Sequence, residues 1–184
     1  MENKHILVFL AEGFEETEAI ATIDVLRRGK IDVRTVSVTG DKTVKGAHAI
    51  PVVADYLLSD VDMDAAYALV LPGGMPGTLN LQSCEPLVTK VSEFAKAGKL
   101  IAAICAAPLI FGHLGLLEGK EAVCYPGFEQ ELKGAVVPHD KTTIVAENIV
   151  TSTGVISVLE FGLTLVGLIA GNEIKADVAN QLKY

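Results

Sequence analysis

The chain has 184 residues and a net charge of -8, and half of its residues are hydrophobic while only 5% are aromatic. This length can bury a substantial core, and we predict a single domain over residues 1–184. The acidic balance argues against binding to nucleic acid or to an anionic membrane, because both require a basic surface. The three cysteines, Cys84, Cys105 and Cys124, have no regular spacing, so they predict neither a disulfide framework nor a metal site.

We expect neither a targeting segment nor a membrane span. Its first residues lead directly into a strand-like segment, without the basic region and cleavage site of a secretory leader. The longest apolar stretches, 100–112 and 155–171, are too short or too interrupted for a membrane span. We therefore expect a cytoplasmic protein without a membrane partner.

Apolar runs and helical periodicity alternate along the chain. They predict strands over 5–10, 32–39, 68–71 and 100–104, and helices over about 15–28, 85–97, 155–170 and 173–182. A hairpin-like insertion is expected around 44–53, a loop over 75–80, and short strands and turns within 120–150. This alternation predicts an α/β sandwich with a mostly parallel central sheet.

The most informative segment is the apolar run 100–104, which leads into Cys105. An apolar run of this length is typical of a buried parallel strand, and Pro108 suits the first position of a helix. Cys105 is therefore predicted to lie on a sharp turn between strand and helix, which is the arrangement of a nucleophile elbow. We expect the helix dipole to favour the thiolate and so to lower the pKa of the thiol.

Two further strand ends are expected to meet Cys105, because the carboxyl ends of parallel strands share one crevice. Glu18 lies on the first turn of the helix after the first strand, and Gly73 and Gly74 follow the strand 68–71. Their backbone N–H groups, with that of Ala106, could hold a developing oxyanion.

Four segments resemble the DJ-1/ThiJ/PfpI superfamily, and most closely its DJ-1 and bacterial DJ-1-like (ThiJ/YajL) branch: 15–18, 24–28, 71–74 and 102–108. The resemblance extends over nearly the whole chain. It implies a flavodoxin-like three-layer αβα sandwich that forms a homodimer. It also implies that Cys105 is the reactive cysteine, Glu18 is the acid hydrogen-bonded to it, and Gly74 and Ala106 are the oxyanion donors.

The resemblance implies a stress-protective function without a cofactor. The substrate would be a small reactive carbonyl such as methylglyoxal or glyoxal, or its adducts, converted in a glyoxalase III or deglycase reaction. The alternative is a redox sensor or chaperone that responds through oxidation of Cys105. The resemblance also implies, more weakly, a role in thiamine biosynthesis. Ala106 argues against an intracellular peptidase, because related peptidases place a histidine beside or opposite the cysteine.

The chain also departs from the DJ-1 pattern near the expected pocket. Tyr125 stands where DJ-1 has a histidine. Thr153-Gly154-Val155-Ile156-Ser157 stands where DJ-1-like proteins commonly have Arg-Gly-Pro-Gly-Thr, so an arginine and a Pro-Gly pair are missing. We therefore expect Gly73, Tyr125, Thr153 and Gly154 to line the pocket, with altered polarity. Elsewhere we expect ordinary structural roles for Cys84, His113, Glu15 and Glu16, and for Cys124, which we expect at the end of a strand. His48 is expected at a solvent-exposed loop position.

Overall fold

The computed structural model of the chain describes residues 5–184. Residues 1–4, which contribute to the expectation of no secretory leader, lie outside the described residues. Within the described part, no helix combines the length and the apolar character needed to cross a membrane.

Strands and helices follow one another along the chain. The strands are β1 (His5–Leu10), β2 (Asp32–Ser37), β3 (Thr43–Lys45), β4 (Pro51–Val53), β5 (Tyr56–Leu57), β6 (Ala68–Leu71), β7 (Leu100–Ile104), β8 (Thr143–Ala146) and β9 (Ile149–Ser152). The helices are α1 (Glu16–Arg28), α2 (Gly77–Gln82), α3 (Glu85–Lys96), α4 (Pro108–His113), α5 (Val158–Ala170) and α6 (Asn172–Leu182).

Seven strands of the described residues form one sheet in the order β5-β2-β1-β6-β7-β9-β8. Every neighbouring pair is parallel except β8 and β9, and β3 and β4 form the expected hairpin outside this sheet. Because β1, β6 and β7 are adjacent and parallel, the loops that leave their carboxyl ends open at one edge of the sheet.

Helices cover both faces of the sheet, and alternate strand residues point to opposite layers. On β1, Leu7 and Phe9 pack with residues of α3 and α4, whereas Ile6 and Val8 pack with residues of α1 and α5. These residues are fully buried, which explains why the central strands are continuous apolar runs. The predicted three-layer αβα sandwich with a mostly parallel sheet is confirmed.

Three local predictions were wrong. The segment predicted as a loop over 75–80 contains the start of α2, whose first residue, Gly77, packs against Gly13. The helix predicted from 155 begins at Val158, after a 3-10 turn at Val155–Ser157 that follows Gly154. Cys124 does not end a strand; it lies buried after an isolated bridge at Glu121.

Candidate functional site

Cys105 lies between β7 and α4, in a left-handed backbone conformation with φ of 65°. A residue with a β-carbon in this conformation costs about 1–3 kcal/mol, so neighbouring groups must hold it. The Cys105 N–H donates to the carbonyl oxygen of Ser152 at 2.9 Å, and its carbonyl accepts from the N–H of Tyr125 at 2.8 Å. Pro108 begins α4, as the sequence predicted. The turn is therefore a nucleophile elbow fixed from two sides.

Glu18 lies on the first turn of α1, and its side chain is fully buried. The Glu15 carboxylate caps this helix by accepting from the Glu18 N–H at 2.6 Å, so Glu15 has a positioning role that the sequence did not predict. Carboxyl oxygen Oε2 of Glu18 accepts from the Gly73 N–H at 3.0 Å. Oxygen Oε1 has no nitrogen or oxygen hydrogen-bond partner among the described residues. A buried carboxyl with one such contact is poorly stabilised as an anion.

Glycine at position 73 brings Glu18 and Cys105 together. A β-carbon there would lie 2.5 Å from the Cys105 β-carbon and 2.7 Å from Glu18 Oε2. Gly154 closes the other side: a β-carbon there would lie 3.5 Å from Glu18 Oε1 and 3.8 Å from the Cys105 β-carbon. The carboxyl and the thiol thus contact each other between two positions without side chains.

The backbone N–H groups of Gly74 and Ala106 hydrogen-bond to the Cys105 sulfur and lower the pKa of this thiol. Gly74 has φ of 92°, and a β-carbon there would lie 2.3 Å from the Glu15 nitrogen, so only glycine fits. The two predicted oxyanion donors therefore lie beside the cysteine. In this arrangement both donors face the position where negative charge on sulfur, or on an atom bonded to it, would form.

Burial raises the pKa of Glu18 from 4.5 to about 7, and the negative charge of Glu15 adds to the rise. Hydrogen bonds with Cys105 and with the Gly73 N–H act in the opposite direction. Near neutral pH this carboxyl is therefore divided between its protonated and ionised forms, which suits a group that both gives and takes protons.

Burial also raises the pKa of the Cys105 thiol to about 12, and both the charge of Glu18 and the hydrogen bond with it contribute. The expectation of a lowered pKa was wrong, because burial and Glu18 outweigh the two N–H groups and the six-residue helix α4. Of the three effects that raise the pKa of the thiol, two come from Glu18: its charge and its hydrogen bond. The charge acts only while the carboxyl is ionised. The pair therefore holds at most one negative charge near neutral pH, and a proton on Glu18 allows that charge to lie on sulfur.

The remaining predicted pocket residues differ in their positions. Tyr125 is half-exposed, and its ring lies 3.4 Å from where a β-carbon at Gly154 would be. The Thr153 hydroxyl hydrogen-bonds with the Ser157 hydroxyl at 3.0 Å, a contact away from the Cys105 thiol. The roles of Ser152, at the end of β9, and Ser157, in the 3-10 turn, were not predicted from the sequence, since single serines carry no distinctive pattern.

The other cysteines and His113 have ordinary surroundings. Cys124 is buried, and burial raises the pKa of its thiol to about 12, with a contribution from Glu129. Cys84 is partly buried and precedes α3. His113 bonds through its two ring nitrogens to Gln82 and Glu131, which ties α4 to its neighbours.

One cluster in the described part of the chain has ligand atoms close enough to hold a metal ion: Glu15, Glu16 and His48. Its atoms already contact one another. Glu16 accepts from the His48 N–H at 2.7 Å and contacts His48 Nδ1 at 2.8 Å, so it fastens the β3–β4 hairpin loop to α1. Glu15 caps α1 as described above. Each of the three residues therefore has a structural role that explains its position without a metal ion.

Comparison with known proteins relates this site to one family. Residues 4–168 match the model of the DJ-1/PfpI family. Protein DJ-1 homolog B of Arabidopsis thaliana is 42% identical over 180 residues, or 97% of this chain, but the match spans only 41% of that relative's length. Glutathione-independent glyoxalase DJR-1.2 of Caenorhabditis elegans is 31% identical over 92% of this chain and 91% of the relative.

Solved structures agree with this assignment over the full fold. Oxidized DJ-1 of Toxoplasma gondii superposes with a TM-score of 0.91 at 35% identity, covering 98% of both chains. A cysteine-to-alanine mutant of a DJ-1 superfamily protein from Salmonella typhimurium superposes with a TM-score of 0.92 at 36% identity, again over 98% of both chains. The sandwich is thus that of a known group, and the chain belongs to the DJ-1/PfpI family.

Proposed function

We propose that the protein is a cysteine-dependent, cofactor-free glyoxalase that converts small α-oxoaldehydes such as methylglyoxal into hydroxy acids. The observation that carries the proposal is the contact between the Cys105 thiol and a fully buried Glu18 whose pKa is about 7. The name of the C. elegans relative, a glutathione-independent glyoxalase, supports the same reaction class. We include in this proposal that the protein protects the cell against reactive carbonyl compounds and that it removes the adducts that α-oxoaldehydes form, as a deglycase does.

The first step is addition of the Cys105 sulfur to the aldehyde carbon. The thiol proton passes to Glu18, and the sulfur forms a bond to the carbon while the carbonyl electron pair moves to oxygen. The N–H groups of Gly74 and Ala106 are close enough to the sulfur to stabilise that oxygen. The oxygen then takes the proton from Glu18, which leaves Glu18 as the carboxylate, and the product is a hemithioacetal.

The second step moves hydrogen between the two substrate carbons. The Glu18 carboxylate removes the proton from the carbon bonded to sulfur, which gives an enediolate with its charge on the neighbouring oxygen. The hydroxyl proton of the sulfur-bearing carbon moves to that oxygen, and Glu18 returns its proton to the neighbouring carbon. The carbon on sulfur thereby becomes a thioester carbonyl. Water cleaves the thioester, releases the hydroxy acid and restores the thiol. Methylglyoxal and one water thus yield lactate, without a net oxidant or reductant.

The test measures methylglyoxal consumption and D- and L-lactate formation without added thiol, for the native protein and variants at Cys105 and Glu18. We expect Cys105→Ser to abolish turnover and Glu18→Ala to lower it about 10²–10⁴-fold, as for loss of a general acid–base group. Cys84→Ser is the matched control, because it removes a partly buried thiol outside the site. Full turnover by Cys105→Ser, or none by the native reduced protein, would contradict the proposal.

A second candidate is a redox sensor that acts through oxidation of Cys105. Cys105 is only partly buried and has two N–H donors at its sulfur, whereas Cys124 is almost fully buried. Peroxide would oxidise the thiolate to a sulfenate with loss of water, and a second peroxide would give the sulfinate. The Glu18 proton and the two N–H groups could then stabilise its oxygens. The oxidized state of the T. gondii structure favours this candidate.

Mass spectrometry after mild peroxide treatment tests this role. Selective addition of two oxygens at Cys105, lost in Glu18→Ala, is the expected result. Equal oxidation at Cys84 and Cys124 would contradict it.

We also propose a homodimer in the cytoplasm. Exposed apolar side chains on α1, in and beside the hairpin, and beside Gly154 support an interface, with Ile20 45%, Ile50 55%, Val53 69% and Ile156 94% exposed. Light scattering after gel filtration gives the mass in solution. A mass of about 19.4 kDa would refute the dimer.

A further inference from the structure

A cluster of buried and partly buried hydroxyls lies at the junction of β9 and α5, next to Gly154. The Ser157 hydroxyl is at its centre, 2.8 Å from that of Ser152 and 3.0 Å from that of Thr153. Ser152 in turn contacts the Thr143 hydroxyl at 3.0 Å. Ser157 is 3% exposed, and its hydroxyl bonds to Ser152, Thr153 and Gly154 rather than to Cys105 or Glu18.

Ser157 holds the backbone of Gly154 from both sides. The Gly154 N–H donates to the Ser157 hydroxyl at 3.2 Å, and that hydroxyl donates to the Gly154 carbonyl at 2.9 Å. The Ser157 N–H also donates to the Gly154 carbonyl at 2.9 Å. Gly154 has φ of 146°, a conformation open to glycine but rarely to a residue with a side chain, and these bonds hold the turn in it.

Gly154 forms the wall of the site next to the unpartnered oxygen of Glu18. It lies between Glu18 Oε1, the Cys105 β-carbon and the ring of Tyr125, all within 4 Å of where its β-carbon would be. We propose that Ser157 is a positioning residue of this site: its hydroxyl fixes Gly154 against the Glu18 carboxyl and keeps water out of that wall.

Exclusion of water determines the chemistry of Glu18, because burial is the largest cause of its raised pKa. If the wall opens, water reaches Oε1, the carboxylate is stabilised, and the carboxyl loses its proton at lower pH. The other titratable groups that act on Glu18 are Cys105 and Glu15, and neither contacts the Ser157 hydroxyl. The catalytic consequence rests on the proposed function, but the effect on the Glu18 carboxyl does not.

The experiment follows the ¹³C chemical shift of the Glu18 carboxyl carbon with pH, with the signal assigned by its absence in Glu18→Gln. We expect Ser157→Ala to lower the pH midpoint of Glu18 by about one unit, and Ser157→Thr, which keeps the hydroxyl, to preserve the wild-type midpoint. Thr143→Val is the matched control, because it removes a hydroxyl of the same cluster that contacts Ser152 and not Gly154. No substrate is needed, so absence of glyoxalase turnover leaves the result interpretable.

An unchanged midpoint in Ser157→Ala, or an equal shift in Thr143→Val, would overturn the proposal. Should Ser157→Ala fail to fold, hydrogen exchange of the wild-type protein decides. The Gly154 amide should then exchange much more slowly than that of Ile156, which has high exposure. Equal exchange of the two amides would also overturn it.

Discussion

Replacement of Glu18 by glutamine should change how the stability of the protein depends on pH. The pKa of Glu18 is about 7 in the folded protein against 4.5 for the ordinary side chain. Between these values the folded state binds a proton that the unfolded state has released, so the free energy of unfolding falls as pH rises. Each pKa unit corresponds to about 1.4 kcal/mol, and the total is about 3 kcal/mol.

Glutamine carries no charge at any of these pH values. Relative to wild type, Glu18→Gln should therefore gain about 3 kcal/mol between pH 4 and pH 7.5, measured by urea unfolding with circular dichroism at several pH values. Glu173→Gln, on the first turn of α6, is the control for the loss of one surface carboxyl. If the free energies of wild type and Glu18→Gln run parallel with pH, the buried carboxyl does not titrate as argued, and the proposed proton transfer loses its basis.

Gly73→Ala should destabilise the protein by about 2–3 kcal/mol and suppress alkylation of Cys105, because the new β-carbon would overlap that of the cysteine. Gly98→Ala has open space and only a strained φ of 71°, so about 1 kcal/mol and unchanged alkylation are expected; equal effects would refute the steric reasoning. The contact of His48 with Glu16 raises the pKa of the histidine, and the pKa of Glu16 is lowered although burial acts against this. The two side chains form an ion pair only at pH values above the pKa of Glu16 and below that of His48. In that range the melting temperature of wild type should exceed that of His48→Gln, and a difference that does not vary with pH would contradict this.

The central architecture could be predicted because local and global signals agree. Buried parallel strands need apolar residues on both faces, and β6, β7 and the part of β1 after His5 are therefore continuous apolar runs. Gly29 ends α1 as expected, and Pro108 begins α4. The resemblance to the DJ-1 superfamily added the pairing of Glu18 with Cys105, which spacing along the chain could not supply.

Features fixed by tertiary contacts could not be predicted in this way. Helix α2 has six residues, too few for a periodic pattern, and begins where a β-carbon at Gly77 would lie 2.6 Å from the Gly13 carbonyl oxygen. The start of α5 was misplaced because Ser157 bonds back to Gly154 and forms a tighter turn first. Hydrogen bonds between hydroxyls of this kind depend on which loops lie next to each other in the fold, and that cannot be predicted from the local sequence.

The thiol pKa shows the same limit at the level of chemistry. A cysteine at the start of a helix suggests an easily formed thiolate, and a surface cysteine there would behave so. Here the side chain is half-buried against a carboxyl that lies 87 positions earlier in the chain, at Glu18, and both effects act against the thiolate. The reactivity of Cys105 is consequently a property of the pair. A protonated Glu18 removes one source of opposition and supplies a hydrogen-bond donor, while an ionised Glu18 keeps the thiol protonated. Whatever controls the access of water to that carboxyl, as the Gly154 wall does, therefore controls the nucleophile as well.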